Sequence, residues 1–463
     1  MALSLQDIRG QVLCDDYILN YYSVDSSFYK IRPKCVVIPK NVSDVIQCVK
    51  FARKSKISVT ARGGGTGLVG SALNSGIIMD LKNFDKIKLA KNYVTVQPGV
   101  RKGKLDQVLA KKGKFLGPNP SVGPYCTIGG MIGTNASGTR SLKYGSMIDN
   151  LLAVTVVTGQ GKLVSLTPKT RLAKSVSKLA KSVTNYPNVS KNSCGYRLDR
   201  VKDPKNIHKI IAGSEGTLGI VVSAKLRIYN IPKKKTLLVV GYNSPKLALH
   251  NCQKIIQLEP SAVEYIDDYT MRNFGKKFPK SIKCLLFVEF DGNIQYSVKQ
   301  FRKISDGTIL YKTAKNDTIS KWWALRNASL HYSLKNLLAK QTTSHIIEDA
   351  TLPVEKLEQI LPVLSKLKRK FNPVFVMYGH TGNGNLHVRV SVSKNKDNVD
   401  KIAKEFFAEI IRLGGTITGE HGDGIARTKF VKMQYGSKTY SLFSKLKREF
   451  DPDHILNPGK IIS

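Results

Sequence analysis

The stretch Arg62-Gly63-Gly64-Gly65-Thr66-Gly67-Leu68-Val69-Gly70 constrains this chain more than any other. Five glycines among eight residues let the backbone turn through positive φ and leave successive N–H groups bare, a concavity that suits anions. The apolar run Ile57-Ser58-Val59-Thr60 before it reads as a short buried strand. Gly65 to Gly70 satisfies the G-x-G-x-x-G spacing of dinucleotide-binding folds, but that fingerprint needs a helix directly afterwards. Here Ser71-Ala72-Leu73-Asn74-Ser75-Gly76 leads into a second strand, Ile77-Ile78-Met79-Asp80-Leu81. A Rossmann reading fails. What remains is a strand–loop–strand able to hold a diphosphate by backbone N–H alone.

The flanking segments agree with an α+β layout. Cys35-Val36-Val37-Ile38 reads as a strand, and Ser43 as the N-cap of a helix whose apolar face is Val45, Ile46, Val49 and Ala52. Tyr93-Val94-Thr95-Val96 is a further strand, followed by a short helix from Leu105 to Ala110. Two more blocks of small residues follow: Pro118-Asn119-Pro120-Ser121 with Thr127 to Thr139, and Ala212 to Val222. So long a run of small and hydroxylic residues is better explained by close backbone approach to a flat, extended ligand than by a packed turn. A hairpin around Gly159-Gln160-Gly161 lies between the two blocks.

These three blocks, in this order and with Lys143-Tyr144-Gly145 after the second, resemble the type 4 FAD-binding oxidoreductase/transferase family of the vanillyl-alcohol oxidase superfamily. The resemblance is strongest to the branch of glycolate oxidase flavin subunits, D-lactate dehydrogenases and D-2-hydroxyglutarate dehydrogenases. The resemblance implies a PCMH-type FAD-binding domain of two α+β subdomains, with an α+β cap built on an antiparallel sheet. It also implies FAD contacts from Arg62, Gly63, Gly64, Gly65, Thr66, Gly67, Gly70, Ser71, Pro120, Ser121, Thr127, Gly130, Thr134, Ser137, Gly138, Glu215, Gly219, Ile220 and Asn457. Some relatives bind FAD through a histidine, but this chain has none before His208, so the cofactor is expected to be non-covalent. The expected organisation is an N-terminal helical segment over 1–32, the FAD domain over 33–232, the cap over 233–425, and a tail over 426–463 that returns to the FAD domain.

In the cap, strands are expected at Thr236–Gly241, Ala262–Ile266, Cys284–Phe290 and Thr308–Lys312. Helices are expected at Pro245–Gln257, Asn293–Lys303 and Thr318–Leu334. The last of these carries Trp322-Trp323-Ala324-Leu325-Arg326. The family places an arginine after such an aromatic pair to bind the substrate carboxylate, a task suited to a planar, permanently charged fork. Val374 to His380 and Leu386 to Val392 read as paired strands, with alternation putting His387, Arg389 and Ser391 on one face. Gly419-Glu420-His421-Gly422 lies downstream, and three of the eight histidines fall in these two regions.

Two histidines and a glutamate with an open position suit a catalytic divalent metal. The family's two metal-site motifs map here as His380-Thr-Gly-Asn-Gly-Asn-Leu-His387 and Gly419-Glu420-His421-Gly422. They imply His380, His387 and Glu420 as ligands of a divalent metal, Zn or Mn, and His421 as the base; the substrate carboxylate is expected on Arg326, joined by Arg389. Asn383, Asp423 and Arg389 depart from the family pattern and leave the substrate's identity open among D-lactate, glycolate and D-2-hydroxyglutarate. Asp451-Pro452 and Leu456-Asn457-Pro458-Gly459-Lys460 match the closing tail. A transferase of the alkylglycerone-phosphate synthase kind shares the FAD domain but carries a histidine-rich segment where this chain has Glu420-His421.

Composition narrows the partners. Seven scattered cysteines without C-x-x-C argue against an iron–sulfur relay and for a cytoplasmic setting. No apolar run approaches the ~18 residues of a membrane span, and the start lacks the layout of a secretory signal. Lys+Arg 74 against Asp+Glu 33 gives a net charge of +41. The lysines are spread along the chain (Lys82, Lys111, Lys233, Lys368, Lys447) without interleaved aromatics, so a solvated surface, with peripheral contact at an anionic inner membrane face, is expected rather than nucleic-acid binding. With no nicotinamide motif, electrons are expected to pass to a quinone or a carrier protein. The oligomeric state is left open, a dimer included.

Overall fold

The computed structural model describes residue 5 and residues 8–335, 341–393 and 397–463. Four strands, β1 (Gln11–Leu13), β2 (Cys35–Ile38), β3 (Val59–Arg62) and β4 (Ile77–Asp80), form the first sheet in the order β1-β2-β4-β3. β3 and β4 run parallel, so the glycine loop that joins them crosses at the sheet's end with its backbone free of ladder pairing. The helix Val42–Ser55 covers this sheet with Val45, Cys48, Val49 and Ala52. Its N-cap is Asn41, whose side chain accepts from the Asp44 N–H, two residues before the expected Ser43. The N-terminal segment is not purely helical: β1 pairs antiparallel with β2 ahead of the short helix Asp16–Tyr22.

The second sheet has the order β5-β6-β10-β8-β9, from β5 (Ile87–Leu89), β6 (Tyr93–Val96), β8 (Leu151–Val157), β9 (Leu163–Ser165) and β10 (Ile220–Arg227). β7 (Lys114–Phe115) and β11 (Tyr229–Asn230) form a separate ribbon beside it. A short helix, Ile128–Gly133, lies where the sequence suggested only small-residue loop, capped by Thr127 Oγ1 accepting from Gly130 N–H at 3.2 Å. Three of its six residues are glycine, which disfavours a helix by propensity. Close packing requires the small residues: a Cβ on Gly129 would lie 2.6 Å from Pro98, and one on Gly63 would lie 2.3 Å from Thr127 Oγ1.

The cap sheet has seven strands in the order β15-β12-β14-β13-β17-β18-β16. They are β12 (Thr236–Tyr242), β13 (Ala262–Asp267), β14 (Cys284–Phe290), β15 (Thr308–Thr313), β16 (Gln341–Ser344), β17 (Val374–His380) and β18 (Asn385–Ser393). Every residue of β12 and β14 is buried, because both faces are covered. Leu238, Val240, Leu286 and Val288 pack with the helices Pro245–Ile255 and Ile294–Ile304. Leu237, Val239, Leu285 and Phe287 pack with Trp322 and Trp323. The expected helix over Thr318–Leu334 is two helices, Asn316–Asn327 and Ser329–Lys335, which leaves Arg326 in the last turn of the first.

The helix Gly424–Phe450, kinked at Gly436, carries the chain back. Asn457 N–H donates to Val59 O at 2.9 Å, and Leu456 joins the core beneath the first sheet. Lys447, expected on the surface, is buried here: its ammonium donates to Thr217 O, Leu456 O and Asp451, tying the end of this helix to the segment before β10 and to the tail.

Candidate active site

One cleft joins the glycine loop to the histidines, with about 1840 Å³ of empty space including its open mouth. Its lining includes Arg62, Gly63, Gly64, Gly65, Thr66, Gly67 and Ser71 from the loop, and Pro120, Ser121, Thr127, Gly130, Thr134, Ser137 and Gly138 from the second block. Glu215 and Gly219 come from the third block, and Arg326, His380, His387, Glu420 and His421 from the cap. Gly138 sits at φ +118, where a Cβ would lie 2.1 Å from Asn119 O; only glycine serves at that crossing.

Four residues expected in the cleft stand behind its wall. Gly70 packs on Ile425 and Tyr29, and Ile220 faces the core of the first sheet. Asn457 Nδ2 donates to Ser71 O and Glu215 O, bracing two lining segments from outside. Arg389 is engaged by Glu348 at 2.8 Å and does not reach the lining.

The loop has the features of an anion cradle. Arg62 braces the loop from its start, its guanidinium donating to Tyr22 O and Val24 O at 3.1 and 2.7 Å. Among the described residues, no protein acceptor takes the N–H groups of Gly64, Gly65, Thr66 and Gly67. Ser71, also on the lining, directs its hydroxyl toward the buried Glu215 carboxylate. N–H groups left open in this way are rare without a ligand to satisfy them. The residues fit a dinucleotide's diphosphate.

At the cap end three imidazoles are oriented by their Nδ1 atoms. His380 Nδ1 lies 2.6 Å from Glu264 Oε1, His387 Nδ1 lies 3.1 Å from Glu348 O, and His421 Nδ1 lies 3.1 Å from Glu348 Oε1. Carboxylates and carbonyls only accept, so each neutral ring carries its proton on Nδ1 and presents a lone pair from Nε2. The three Nε2 atoms converge on Glu420 Oε1 at 2.8, 3.3 and 4.0 Å for His380, His387 and His421. Four acceptors facing one another want a cation, so the donor set fits a divalent metal.

Electrostatics say the same. Burial pushes the Glu420 carboxyl up, but the charges of His380 and Lys191 outweigh it and hold it well below the usual range. Burial pulls the His387 pKa down. For His421 burial is overcome by the Asp349, Glu348 and Glu420 carboxylates, which lift it to about 9. These carboxylates favour positive charge at the cluster, and a divalent cation held beside His421 would lower its pKa again and free Nε2 to accept a proton.

Apart from Ser137, which was expected as a FAD contact, sequence reasoning passed over the groups that hold the cluster in place. Lys191 Nζ donates to Glu420 Oε2 at 2.9 Å, and Ser137 Oγ bonds the same oxygen. Asp349 Oδ2 accepts the backbone N–H groups of Gly419, Glu420 and His421 at 3.1, 3.0 and 2.8 Å, which fixes the loop presenting both residues. Asp349, His387, Glu420 and His421 also bring ligand atoms within 4.8 Å of one another. Asp349 does not line the cleft and has its oxygens engaged, so its place is under the loop rather than on an ion.

Glu215 adds a pH dependence. Its backbone is left-handed, and its carboxylate accepts from Asp423 N–H and Gly424 N–H at 2.5 and 3.0 Å, at the start of the last long helix. Burial first, then the Asp423 charge, pushes its pKa up to about 7 from an ordinary 4.5. A raised carboxyl pKa stabilises the fold below the ordinary value, and that contribution is lost as pH rises through the folded one. Thermal melts of the protein will therefore fall between about pH 5 and 7. Glu215→Gln, which keeps an oxygen acceptor, will melt higher than the parent at pH 8 and close to it at pH 5. Parallel curves for the two proteins at all pH values would count against this.

Two family models match the chain in tandem: the FAD binding domain over residues 33–167 and the C-terminal domain of FAD linked oxidases over 231–461. The chain belongs to the FAD-linked oxidase family. Glycolate oxidase subunit GlcD of Bacillus subtilis is 29% identical, with 96% of this chain and 92% of that protein covered. D-lactate dehydrogenase of Anaerostipes hadrus is 28% identical, covering 97% and 94%. D-2-hydroxyglutarate dehydrogenase of Pseudomonas putida is 28% identical over 99% of this chain, which spans only 51% of that longer protein. A solved alkyldihydroxyacetonephosphate synthase superposes with a TM-score of 0.70 over 97% of this chain and 82% of its own, at 19% identity. That likeness speaks to the fold: a FAD-binding domain with an antiparallel cap.

Proposed function

We propose that this FAD-linked oxidase oxidises a small D-2-hydroxy acid to the 2-oxo acid, using non-covalent FAD and a divalent metal, Zn or Mn. The observation that carries the reading is the convergence of three imidazole Nε2 atoms on Glu420 within the cleft that the bare glycine loop also lines. When bound, the metal supplies Lewis-acid polarisation of the substrate hydroxyl and FAD accepts the hydride. His380, His387 and Glu420 would hold the metal. His421, a quarter exposed to the cleft and presenting Nε2, takes the hydroxyl proton.

Arg326 positions the carboxylate. Glu264 accepts from its Nε and Nη2 at 2.7 and 2.5 Å, which fixes the fork and leaves Nη1 for a ligand. Glu264 also bonds His380 Nδ1, so one buried carboxylate sets the angle between substrate anchor and metal ligand. Glu420, anchored by Lys191 and Ser137, stays put when the proton moves.

The acceptor follows from what the chain offers. The cysteines are all free, six of the seven buried, which supports transfer to a quinone or a separate carrier protein. No helix of the described residues is long and apolar enough to cross a membrane. A cytoplasmic enzyme whose +41 charge attracts it to an anionic inner membrane face suits a quinone acceptor.

The test uses the purified protein. It will be yellow, release intact FAD on acid precipitation, and bleach anaerobically with D-lactate, glycolate or D-2-hydroxyglutarate, with no reduction of NAD. The second reading, a transferase like the synthase whose fold it shares, predicts a yellow protein that none of these acids bleaches. A protein that cannot be reconstituted with FAD ends both readings.

A further inference from the structure

Glu348 lies outside the cleft lining, yet it touches two of the three site histidines with different atoms. Its backbone carbonyl sits 3.1 Å from His387 Nδ1, and its side-chain Oε1 sits 3.1 Å from His421 Nδ1. The two rings stack with centroids 5.1 Å apart and planes 5° apart, side by side over Glu348. The carboxylate itself is held rigidly. Its Oε2 accepts from Arg389 Nη1 and from His345 Nδ1, both at 2.8 Å, with all three side chains buried. Phe28, reaching over from the N-terminal segment, stacks on His345 at 4.6 Å and closes the outer side.

We infer that Glu348 is the positioning residue for His421, its carboxylate holding the ring in the Nδ1–H tautomer with Nε2 aimed into the cleft. Arg389 and His345 serve the same end by holding Glu348, which gives Arg389 a role without substrate contact. The inference rests on His421 being the proton acceptor of the proposed reaction, but the orientation it describes is independent of any substrate. It also makes a selective claim: removing the side chain releases His421, while His387 keeps its carbonyl acceptor.

The experiment compares parent, Glu348→Ala and Glu348→Gln as FAD-loaded, zinc-exchanged protein with 15N-labelled histidine. In the parent, both His387 and His421 will show the Nδ1–H tautomer. In Glu348→Ala, His387 will keep it and His421 will lose it, and anaerobic flavin reduction by the best hydroxy acid will slow roughly 10–100-fold, the usual effect of losing such a second partner. Glu348→Ala also leaves the buried Arg389 without its carboxylate and will melt lower, but at temperatures where it stays folded its substrate dissociation constant, zinc content and flavin spectrum will match the parent. Glu348→Gln keeps an acceptor oxygen and will recover most of the rate and the tautomer. A His421 signal unchanged in Glu348→Ala overturns the inference, as does a rate within about twofold of the parent or a rate lost in step with zinc. Where no hydroxy acid reduces the parent, the proposed reaction fails and the tautomer alone decides the inference.

Discussion

His380→Ala, His387→Ala and Glu420→Gln will each strip the divalent metal and slow turnover about a thousand-fold or more, while the protein stays yellow. The size follows from losing a Lewis acid and an orienting template together, several kcal/mol of barrier. The flavin should survive because the bare N–H groups of Gly64 to Gly67 belong to the loop between β3 and β4, and the ligands to the cap hairpin and the loop beyond it. Gln is the proper change at 420. Ala would leave the Lys191 ammonium buried without its partner, a loss of roughly 3–5 kcal/mol that would confuse folding with chemistry. His421→Asn should differ in kind, keeping the metal and losing about 10²–10⁴ in flavin reduction, as expected for a general base. Metal analysis, the visible spectrum and single-turnover reduction on these four variants separate the cases. Full metal and a parental rate in His387→Ala would show that the stacked histidine is only structural.

How far the site was legible follows from how each residue announces itself. The hairpin of β17 and β18 could be read from strict alternation around a glycine-rich turn, and its register places Tyr378 opposite His387 as that pattern requires. Histidines are scarce, so three in two segments drew attention. Glu264, Glu348, Asp349 and Lys191 did not, because acids and lysines are ordinarily surface residues and carry no period of their own. The one available signal was Glu348-Asp349 set between Ile346-Ile347 and Ala350, two acids in an apolar run of a chain that has only 33 against 74 basic residues. Arg389 was noticed for its charge on the right strand face, but strand alternation says which face and not what stands opposite. Glu348, forty-one residues away, decides that. Local rules also failed where packing overrode them: the helix Ile128–Gly133 carries glycine against its propensity because Pro98 and Gly63 approach it too closely for side chains. The shift from Ser43 to Asn41 is a smaller failure, since both side chains are competent caps.

Gly64→Val will leave the protein folded and colourless. A Cβ at Gly64 would lie 2.6 Å from the carbonyl oxygen of Tyr125, a backbone atom that cannot swing aside as a side-chain tip could. Relief requires the glycine loop to move off the segment 123–127, and that segment carries Thr127 and the start of the second lining block. The two loops form opposite sides of the cradle, so parting them spoils the row of N–H groups at its most position-sensitive point. An affinity for FAD at least a hundred-fold weaker is expected, which corresponds to about 2.7 kcal/mol. The core beneath should tolerate the change, because β3 and β4 keep their ladder and Leu456 still packs under them. Far-ultraviolet circular dichroism should therefore match the parent while flavin absorbance is lost, and the cap should still bind zinc because its ligands do not depend on the loop. Parental FAD occupancy in this variant would mean that the diphosphate lies elsewhere in the cleft and that the glycine loop only turns the chain.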